Sequence, residues 1–233
     1  ASTATIKVID EAGASETIII NIGKVYSELT FTGVYNIPAS TVGKAITDLN
    51  VSGGASGGKG PYKFTATGLP EGLVIDLNTG KISGIPTKGG LAGTATIRVE
   101  DALGYTEDIA INYGKISYTV SYDGNGNESG TVPVATLHQS GDDVTVKNKG
   151  SLAKTGFEFG GWATKADGTG NIYNSGDNLI MGDASVILYA RWVAKVTYDG
   201  NGNDGGTVPK DSNAYLPGAI VNVLGNPNGL TKK

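Results

Sequence analysis

Acidic and amide side chains alternate with glycine in a short stretch that the chain carries twice. Both copies contain the letters DGNGN, which place side-chain oxygens at every second position. Oxygen ligands at this spacing are typical of the first half of a calcium-binding loop, although no glutamate follows at the distance that completes such a loop. The candidate calcium ligands are Asp123, Asn125, Asn127, Asp199, Asn201 and Asn203.

The same letters also predict a structural turn. Asn and Asp adopt the left-handed backbone more readily than other non-glycine residues, and their side chains bind neighbouring main-chain groups. A turn of this kind needs no metal. We favour the turn over the calcium site, and we expect no other cofactor.

Aromatic side chains are the second set that could bind a ligand. Trp162 and Trp192 could stack on sugars, but each lies beside alternating apolar positions, so we expect both in a hydrophobic core. Tyr62, Tyr105 and Tyr215 lie in loop-like surroundings and remain candidates for ligand contact.

The sequence contains no clear pattern of catalytic residues. His138 is the only histidine, and Ser140 and Asp142 follow it in a polar stretch without a nucleophile-elbow pattern. A glycosidase needs two carboxylates across a cleft, and no acidic residue is singled out for that role. The acidic residues considered were Glu71, Asp76, Glu100 and Asp101. The sequence therefore predicts a protein that is not an enzyme.

Composition removes several further classes of function. The chain has no cysteine, which excludes disulfides, zinc–thiolate sites and cysteine nucleophiles. Its 18 basic residues are scattered against 22 acidic ones, so no cationic face for nucleic acid is expected. No apolar run approaches the roughly 18 residues of a membrane span, so we expect no membrane insertion.

Two internal repeats organise the chain. Residues 120–133 and 196–209 lie 76 apart and are identical at 11 of 14 positions. Residues 3–25 and 94–116 lie 91 apart and are identical at 13 of 23 positions. Fixed offsets of this size indicate tandem modules. The predicted modules are 1–25 (a partial copy), 26–115, 116–194 and 195–233 (a second partial copy).

The modules are predicted to be mainly β. Glycine accounts for 37 of 233 residues without a collagen-like period, which implies many tight turns between short strands. Residues 3–25 and 94–116 each predict a hairpin, because alternating apolar residues flank a turn that contains Asp and Gly. Residues 52–60, SGGASGGKG, predict a flexible loop.

The module at 26–115 resembles the immunoglobulin-like domain of bacterial surface proteins, a family related to cadherin-like modules. The residues that carry the resemblance are Gly68-Leu69-Pro70, Gly72-Leu73, Thr79-Gly80, Ile82-Ser83-Gly84 and Pro86. The resemblance implies a β-sandwich that acts as a stalk or adhesive module and carries no catalytic site. It also makes Asp101 and Glu107, which flank a hairpin turn, a place where cadherin-like relatives hold calcium.

The module at 116–194 resembles the Listeria–Bacteroides (internalin B-type) repeat of secreted bacterial proteins. The resemblance is carried by Tyr122-Asp123-Gly124-Asn125-Gly126, Gly156-Phe157, Phe159, Gly161-Trp162 and Leu188-Tyr189-Ala190-Arg191-Trp192. It implies a small β-grasp-like fold with a mixed sheet curled over a short helix. The module shows no clear helical period, and residues 148–154 are the candidate for that helix.

These observations predict a non-catalytic repeat region of a secreted or wall-attached bacterial surface protein. The expected location is extracellular, at the bacterial cell surface, and the expected role is a stalk, a spacer or an adhesive module. Its partners would be neighbouring repeats of the same chain and a host or cell-surface protein or glycan. The alternative is a carbohydrate-binding accessory region of a secreted glycan-degrading enzyme.

Overall fold

The fold is built almost entirely from short β-strands. The computed structural model describes residues 2–233, and within them the helical structure is a single 3-10 turn at Ser52–Gly54. This confirms the predicted mainly β class. In chain order the strands are β1 Ser2–Ile9, β2 Ser15–Ile22, β3 Thr30–Phe31, β4 Asn36–Ile37, β5 Ser40–Thr41, β6 Leu49–Asn50, β7 Ala55–Ser56, β8 Lys63–Thr67, β9 Leu73–Ile75, β10 Lys81–Gly84, β11 Gly93–Glu100, β12 Thr106–Tyr113, β13 Ile116–Asp123, β14 Thr136–His138, β15 Asp143–Thr145, β16 Glu158–Ala163, β17 Ile172–Tyr173, β18 Asn178–Ile180 and β19 Val186–Val193.

The chain divides into two compact units. The first unit contains residues 1–38, 45–86 and 92–114, and the second contains residues 39–44, 87–91 and 115–233. Segments 39–44 and 87–91, which the sequence places in the module 26–115, belong to the second unit. The finer division into two whole and two partial modules stays a prediction.

The first unit is a β-sandwich. One sheet has the order β4-β12-β11-β8, and a second has the order β6-β10-β9; β3 pairs with β7. Apolar side chains from these strands and their loops form one core. Its fully buried members include Val51, Phe64, Ile82, Ile97 and Ile111.

Alternation explains why β11 takes its place in this sandwich. Ala95, Ile97 and Val99 point into the core, whereas Thr96 and Arg98 between them are exposed. Successive side chains of a strand point to opposite faces, so a period of two gives one apolar face. Gly84, one of the glycines that carry the family resemblance, allows a close backbone approach. It has φ +133°, and a Cβ there would lie 2.2 Å from the Gly72 carbonyl oxygen.

The hairpin β1–β2 forms as the sequence predicts, but its side chains are exposed. Its strands make a two-stranded sheet of their own, with Ile6 opposite Ile18 and Ala4 opposite Ile20. Ile6 is 47% exposed and Ile18 is 52% exposed. Because two strands alone are marginally stable in water, the sequence also predicts that this hairpin packs on another copy or on the next domain, and this stays a prediction.

The second unit is built on a mixed sheet. The order is β14-β13-β19-β16-β17, with β5 beside β13, and the β13–β19 and β13–β5 pairs are parallel. Strands β15 and β18 form a separate pair. The core contains both tryptophans together with Tyr118, Tyr122, Val144, Leu152 and Leu188.

The short helix that the resemblance implies is not found within residues 2–233. Residues 148–154, the candidate stretch, run as an irregular segment that buries Leu152. Gly150 adopts φ +60°, which lies outside the α-helical region and interrupts any helix there. Ala153 instead forms a bridge to Ser129.

Candidate functional site

The first DGNGN stretch forms a turn that is tied together by its own side chains. Asn125 adopts a left-handed backbone with φ 47°, and its N–H donates to Asp123 Oδ1 at 2.7 Å. Asn127 Nδ2 donates to the carbonyl oxygens of Ser129 at 2.9 Å and Gly130 at 3.2 Å. These are the contacts expected of a turn in which Asn and Asp bind the neighbouring main chain.

This turn is also anchored to distant parts of the second unit. Asn125 Nδ2 donates to Ala166 O at 2.8 Å and to Ala190 O at 3.0 Å. The indole N–H of Trp192 donates to Gly124 O at 2.9 Å. The turn therefore joins the loop after β16 and the strand β19 through three hydrogen bonds.

The second DGNGN stretch repeats the local contacts. Asn201 has the same φ of 47° and donates its N–H to Asp199 Oδ1 at 2.8 Å. Asn203 Nδ2 donates to Gly205 O and Gly206 O, and Gly205 bridges Thr231. In the part of the chain that the structure describes, the bonds from the Asn125 amide to Ala166 O and Ala190 O have no counterpart at Asn201.

Each turn also has a lysine beside it. Lys154 Nζ lies 3.3 Å from where a Cβ on Gly126 would be, and Lys232 Nζ donates to Asn201 O at 2.9 Å. Each ammonium group places a positive charge beside its turn, which opposes the approach of a divalent cation. Within residues 2–233, no three acidic or histidine side chains gather as a metal site. Calcium binding by these turns stays a prediction.

Both tryptophans lie in the core, as predicted. Trp162 is fully buried, and its indole N–H donates to Lys147 O at 2.8 Å. Its ring packs edge-on against Tyr122 with centroids 4.7 Å apart. Trp192 is 4% exposed. Neither ring is therefore available as a platform for a sugar.

The three candidate tyrosines have different surroundings. Tyr62 packs against the core of the first unit and donates its hydroxyl to Gly57 O. Tyr215 donates its hydroxyl to Asp211 Oδ2 at 2.7 Å, which lowers the pKa of that carboxyl and raises the pKa of Tyr215. Tyr105 is 67% exposed and lines a groove in the first unit.

This groove, of about 430 Å³, is the best candidate for a binding site in the first unit. It lies between the segment that follows β2 and the turn that joins β11 to β12. The Lys24 ammonium lies 5.0 Å from the centre of the Tyr26 ring. Two tyrosines and mixed charges suit a polar, neutral ligand such as a sugar or a short peptide. The side chains that line it include Lys24, Tyr26, Glu28, Leu103, Tyr105 and Glu107.

Asp101, at the base of the groove, is used by the fold. It is 3% exposed, and its carboxylate accepts N–H groups of Lys59, Leu103 and Tyr105 at 2.8–2.9 Å. Burial opposes ionisation, but the main-chain donors outweigh it and lower the pKa of Asp101 below its ordinary value. Its oxygens are thus already bonded within the first unit, and calcium binding at Asp101 and Glu107 stays a prediction.

The Gly-rich stretch 52–60, predicted as a flexible loop, is held by this carboxylate and by the main chain. Lys59 donates to Asp101 as above, and Gly58 N–H donates to Ser27 O at 2.8 Å. A Cβ on Gly58 would lie 2.7 Å from Asp101 Oδ2. Glycine is required here because the loop approaches the carboxylate so closely.

Two further titratable candidates, His138 and Asp76, also have structural partners. His138 Nε2 lies 2.7 Å from Thr136 Oγ1, and its Nδ1 lies 3.9 Å from Asp142. Asp76 caps the turn before β10, because its Oδ1 accepts from the Thr79 hydroxyl at 2.8 Å and from the main chain of Asn78 and Thr79. These bonds lower the pKa of Asp76.

Sequence reasoning found Tyr105 but missed the opposite wall of the groove. Lys24, Tyr26 and Glu28 lie at the junction of the predicted partial hairpin and the first whole module. The alternation of charge and aromatic residues in KVYSE was the available signal.

Among residues 2–233, no helix is long and apolar enough to cross a membrane.

Two family models match this chain in succession. Residues 29–122 match the model described as "Putative Ig domain", and residues 118–191 match the "Listeria-Bacteroides repeat domain". This is the order predicted from the sequence. Both models describe modules of non-catalytic kinds.

Curated relatives match a smaller part of the chain. A "Putative Gly-rich membrane protein" of Evansella cellulosilytica is 39% identical over 88 residues, which are 36% of this chain and 10% of that protein. A "Putative membrane protein" of the same organism is 37% identical over 78 residues, 34% of this chain and 12% of that protein. The match thus spans about a tenth of the length of these relatives.

Solved structures share only limited likeness. A structure described as a "putative alpha-galactosidase" from Bacteroides fragilis is 29% identical, covers 40% of this chain and 19% of that chain, and has a TM-score of 0.29. Drosophila N-cadherin EC1-4 is 10% identical, covers 76% of this chain and 52% of that chain, and has a TM-score of 0.30. At these TM-scores neither likeness bears on function.

Proposed function

Because the chain carries a Putative Ig domain followed by a Listeria-Bacteroides repeat domain, we propose that it is a non-catalytic repeat region of a secreted or wall-attached bacterial surface protein. The proposed role is that of a stalk or spacer, or of an adhesive module. Both domains are of kinds typical of bacterial surface proteins, and two relatives are named as membrane proteins. The proposed location is the extracellular face of the bacterial cell.

Of these two roles, the geometry supports the spacer best. The observation that carries it is the internal use of side chains that could otherwise do chemistry. Both indole N–H groups, the Asp101 carboxylate and the Asn125 amide are bonded within their own unit. A spacer needs folded, self-contained modules rather than a reactive surface.

Labelling of intact cells tests the location. Antibodies raised against the purified chain should bind cells of the source bacterium without permeabilisation, and brief external protease treatment should remove the signal. An antibody against a ribosomal protein is the control for cell integrity. Labelling that appears only after permeabilisation would contradict the proposal.

The second candidate function is carbohydrate binding as an accessory region of a secreted glycan-degrading enzyme. It is favoured by the groove at Tyr26 and Tyr105, because the exposed ring of Tyr105 and the half-buried ring of Tyr26 lie next to charged groups, an arrangement that suits a sugar. It requires that Tyr105→Ala weakens binding of an oligosaccharide while Leu91→Ala does not. Leu91 is the matched control because it is 70% exposed and outside the groove.

A further inference from the structure

We propose that the β1–β2 hairpin is a docking element for an immunoglobulin-like body that lacks a closing hairpin of its own. The body that fits is one built like residues 26–92 of this chain. The chain itself contains the docked form of such a hairpin, because β11–β12 closes the first unit. Comparison of the two hairpins, residue by residue, carries the inference.

The strands of the two hairpins are paired in the same register. Ile6 lies opposite Ile18, and the equivalent pair 91 residues later is Ile97 opposite Ile109. A shift of one residue would turn the apolar residues to the other face. A common register therefore presents the same face to a partner.

The turns of the two hairpins are also the same. Asp10 N–H donates to Ala14 O at 2.9 Å, and Asp101 N–H donates to Tyr105 O at 2.9 Å. The Asp10 side chain accepts from Ala14 N–H at 2.8 Å, as Asp101 accepts from Tyr105 N–H at 2.9 Å. The glycines before Ala14 and Tyr105 have φ of 83° and 84°.

Burial is what separates the two hairpins. Ile97, Val99 and Ile111 are fully buried in the first unit. Their counterparts Ile6, Val8 and Ile20 are 47%, 55% and 43% exposed. The pairing places these three on one face of β1–β2, together with Ala4 and Ile18. The same face carries Glu16, opposite Val8. The opposite face carries six polar residues and two isoleucines, so the hairpin has one apolar face and one mainly polar face: Thr3, Thr5, Lys7, Ile9, Ser15, Thr17, Ile19 and Asn21.

The contacts made by β11–β12 define what would cover this apolar face. Strand β11 pairs with β8, where Val99 lies opposite Phe64, and β12 pairs in parallel with β4. The Gly-rich loop adds a hydrogen bond from Lys59 N–H to Asp101 Oδ2. Asp10 is exposed, and its Oδ1 is bonded within its own turn. A body with equivalents of β4, β8 and this loop would bind the apolar face, both strand edges and the Asp10 carboxylate.

A second copy of this chain is a poor occupant by the same comparison. In each copy the place for the hairpin is already taken by β11–β12, so an exchange of one hairpin for the other would bury little additional apolar surface. An immunoglobulin-like body without a closing hairpin gains the whole interface. The partner of the β1–β2 hairpin is therefore an immunoglobulin-like body of this kind.

A graft within the full chain tests the proposal. Residues 3–22 are placed at positions 94–113 of the otherwise unchanged chain, which alters nine side chains. We expect the first unit to fold. The amide of Phe64 and the amide of the grafted Ile6, which then takes the position of Ile97, should be protected from hydrogen exchange. A first unit that stays unfolded while the second unit melts as in the parent would overturn the proposal.

Matched variants of the graft test the face and the carboxylate separately. In the graft, Ile6→Asp should abolish the first unit's folding, whereas Thr5→Asp on the polar face should leave it folded. Asp10→Ala in the graft should speed exchange of the Lys59 amide by about tenfold or more, as expected for a lost hydrogen bond to a charged group. The same change at the natural position 10 of the parent should leave Lys59 exchange unchanged. If the grafted first unit folds equally well with Ile6→Asp and with Thr5→Asp, the proposal is overturned.

A half graft covers the case in which the whole graft expresses poorly. Residues 3–13 alone replace 94–104, which keeps β12 and tests β1 and its turn. This variant should also fold, and failure would count against the proposal. Light scattering of the parent across a range of concentrations addresses the competing occupant: we expect a monomer, and a dimer abolished by Ile6→Asp would assign the face to a second copy instead.

Discussion

Asn125 and Asn201 have the same backbone conformation but different surroundings, which makes them a matched pair for substitution. Glycine at either position keeps the positive φ and removes only the side-chain amide. Asn125→Gly removes two hydrogen bonds to Ala166 O and Ala190 O and should lower the free energy of unfolding of the second unit by about 1–3 kcal/mol. Asn201→Gly should change it by no more than about 0.5 kcal/mol. Urea denaturation measures both changes. Equal effects would show that the two hydrogen bonds of the Asn125 amide do not stabilise the unit.

Calcium removal tests the alternative use of the same turns. If the turns are structural, the midpoint of thermal unfolding should be the same in excess EDTA and in millimolar calcium, because Asp123 and Asn125 are already bonded within the protein. Magnesium at the same concentration is the control for ionic strength. A rise specific to calcium that is lost in Asp123→Ala would establish the metal site.

Trp162 is the residue on which the core of the second unit most depends. Trp162→Ala removes a fully buried ring and leaves Lys147 O without its indole donor. The expected loss is about 3–5 kcal/mol, confined to the second unit. Leu137→Ala, at a side chain 60% exposed on β14, is the control and should stay within about 0.5 kcal/mol. A Trp162→Ala protein that melts like the parent would contradict the assignment of the core.

At the scale of residues, the sequence predicted local bonds better than distant ones. The left-handed turn and the burial of both tryptophans follow from residue type and apolar alternation. The partners of the Asn125 amide lie 41 and 65 residues away, and no local pattern encodes them. The wall of the groove at Tyr26 was missed for the same reason, because it meets Tyr105 only in the folded unit.

At the scale of elements, the Asp101 turn couples the β11–β12 hairpin to the Gly-rich loop. Main-chain donors hold the folded pKa of Asp101 below 3.8, the ordinary value for the unfolded chain. A lowered folded pKa contributes stability that is present above pH 3.8 and is lost as the pH falls through the folded pKa. Asp101→Asn should thus be less stable than the parent at pH 7, and the difference should shrink as the pH falls below about 4.

Unfolding of the first unit between pH 7 and pH 2 measures this difference directly. Glu100→Gln, at the position next to Asp101, is the matched control, because the Glu100 side chain is exposed. A difference between parent and Asp101→Asn that is constant over the whole range would show that the carboxylate charge does not stabilise the turn.

The hairpins were the elements best predicted from the sequence. Alternating apolar residues around an Asp/Gly turn gave both β1–β2 and β11–β12, because pairing and turn lie within about 20 residues of chain. The parallel pairing of β5 with β13 was not predicted, since it joins Ser40 to Ile116 without a local signal. The helix that the resemblance implies does not form at its candidate stretch 148–154, because Gly150 and the bridge at Ala153 favour an irregular path.

At the scale of the whole molecule, each unit has a hydrophobic core of its own. The internal repeats predict a modular build, because fixed offsets of 76 and 91 residues indicate tandem modules. What a repeat cannot encode is a ligand. The proposed spacer role depends on one observation: the side chains that could bind a ligand or react are already hydrogen-bonded within their own units.

A binding screen of the full, folded chain tests this central claim most directly. The chain is applied to a glycan array and to a panel of host matrix proteins, with Tyr105→Ala and Leu91→Ala alongside it. The spacer account predicts no reproducible binding by any of the three proteins. Reproducible binding that Tyr105→Ala abolishes and Leu91→Ala retains would contradict the account and make the groove of the first unit a recognition site.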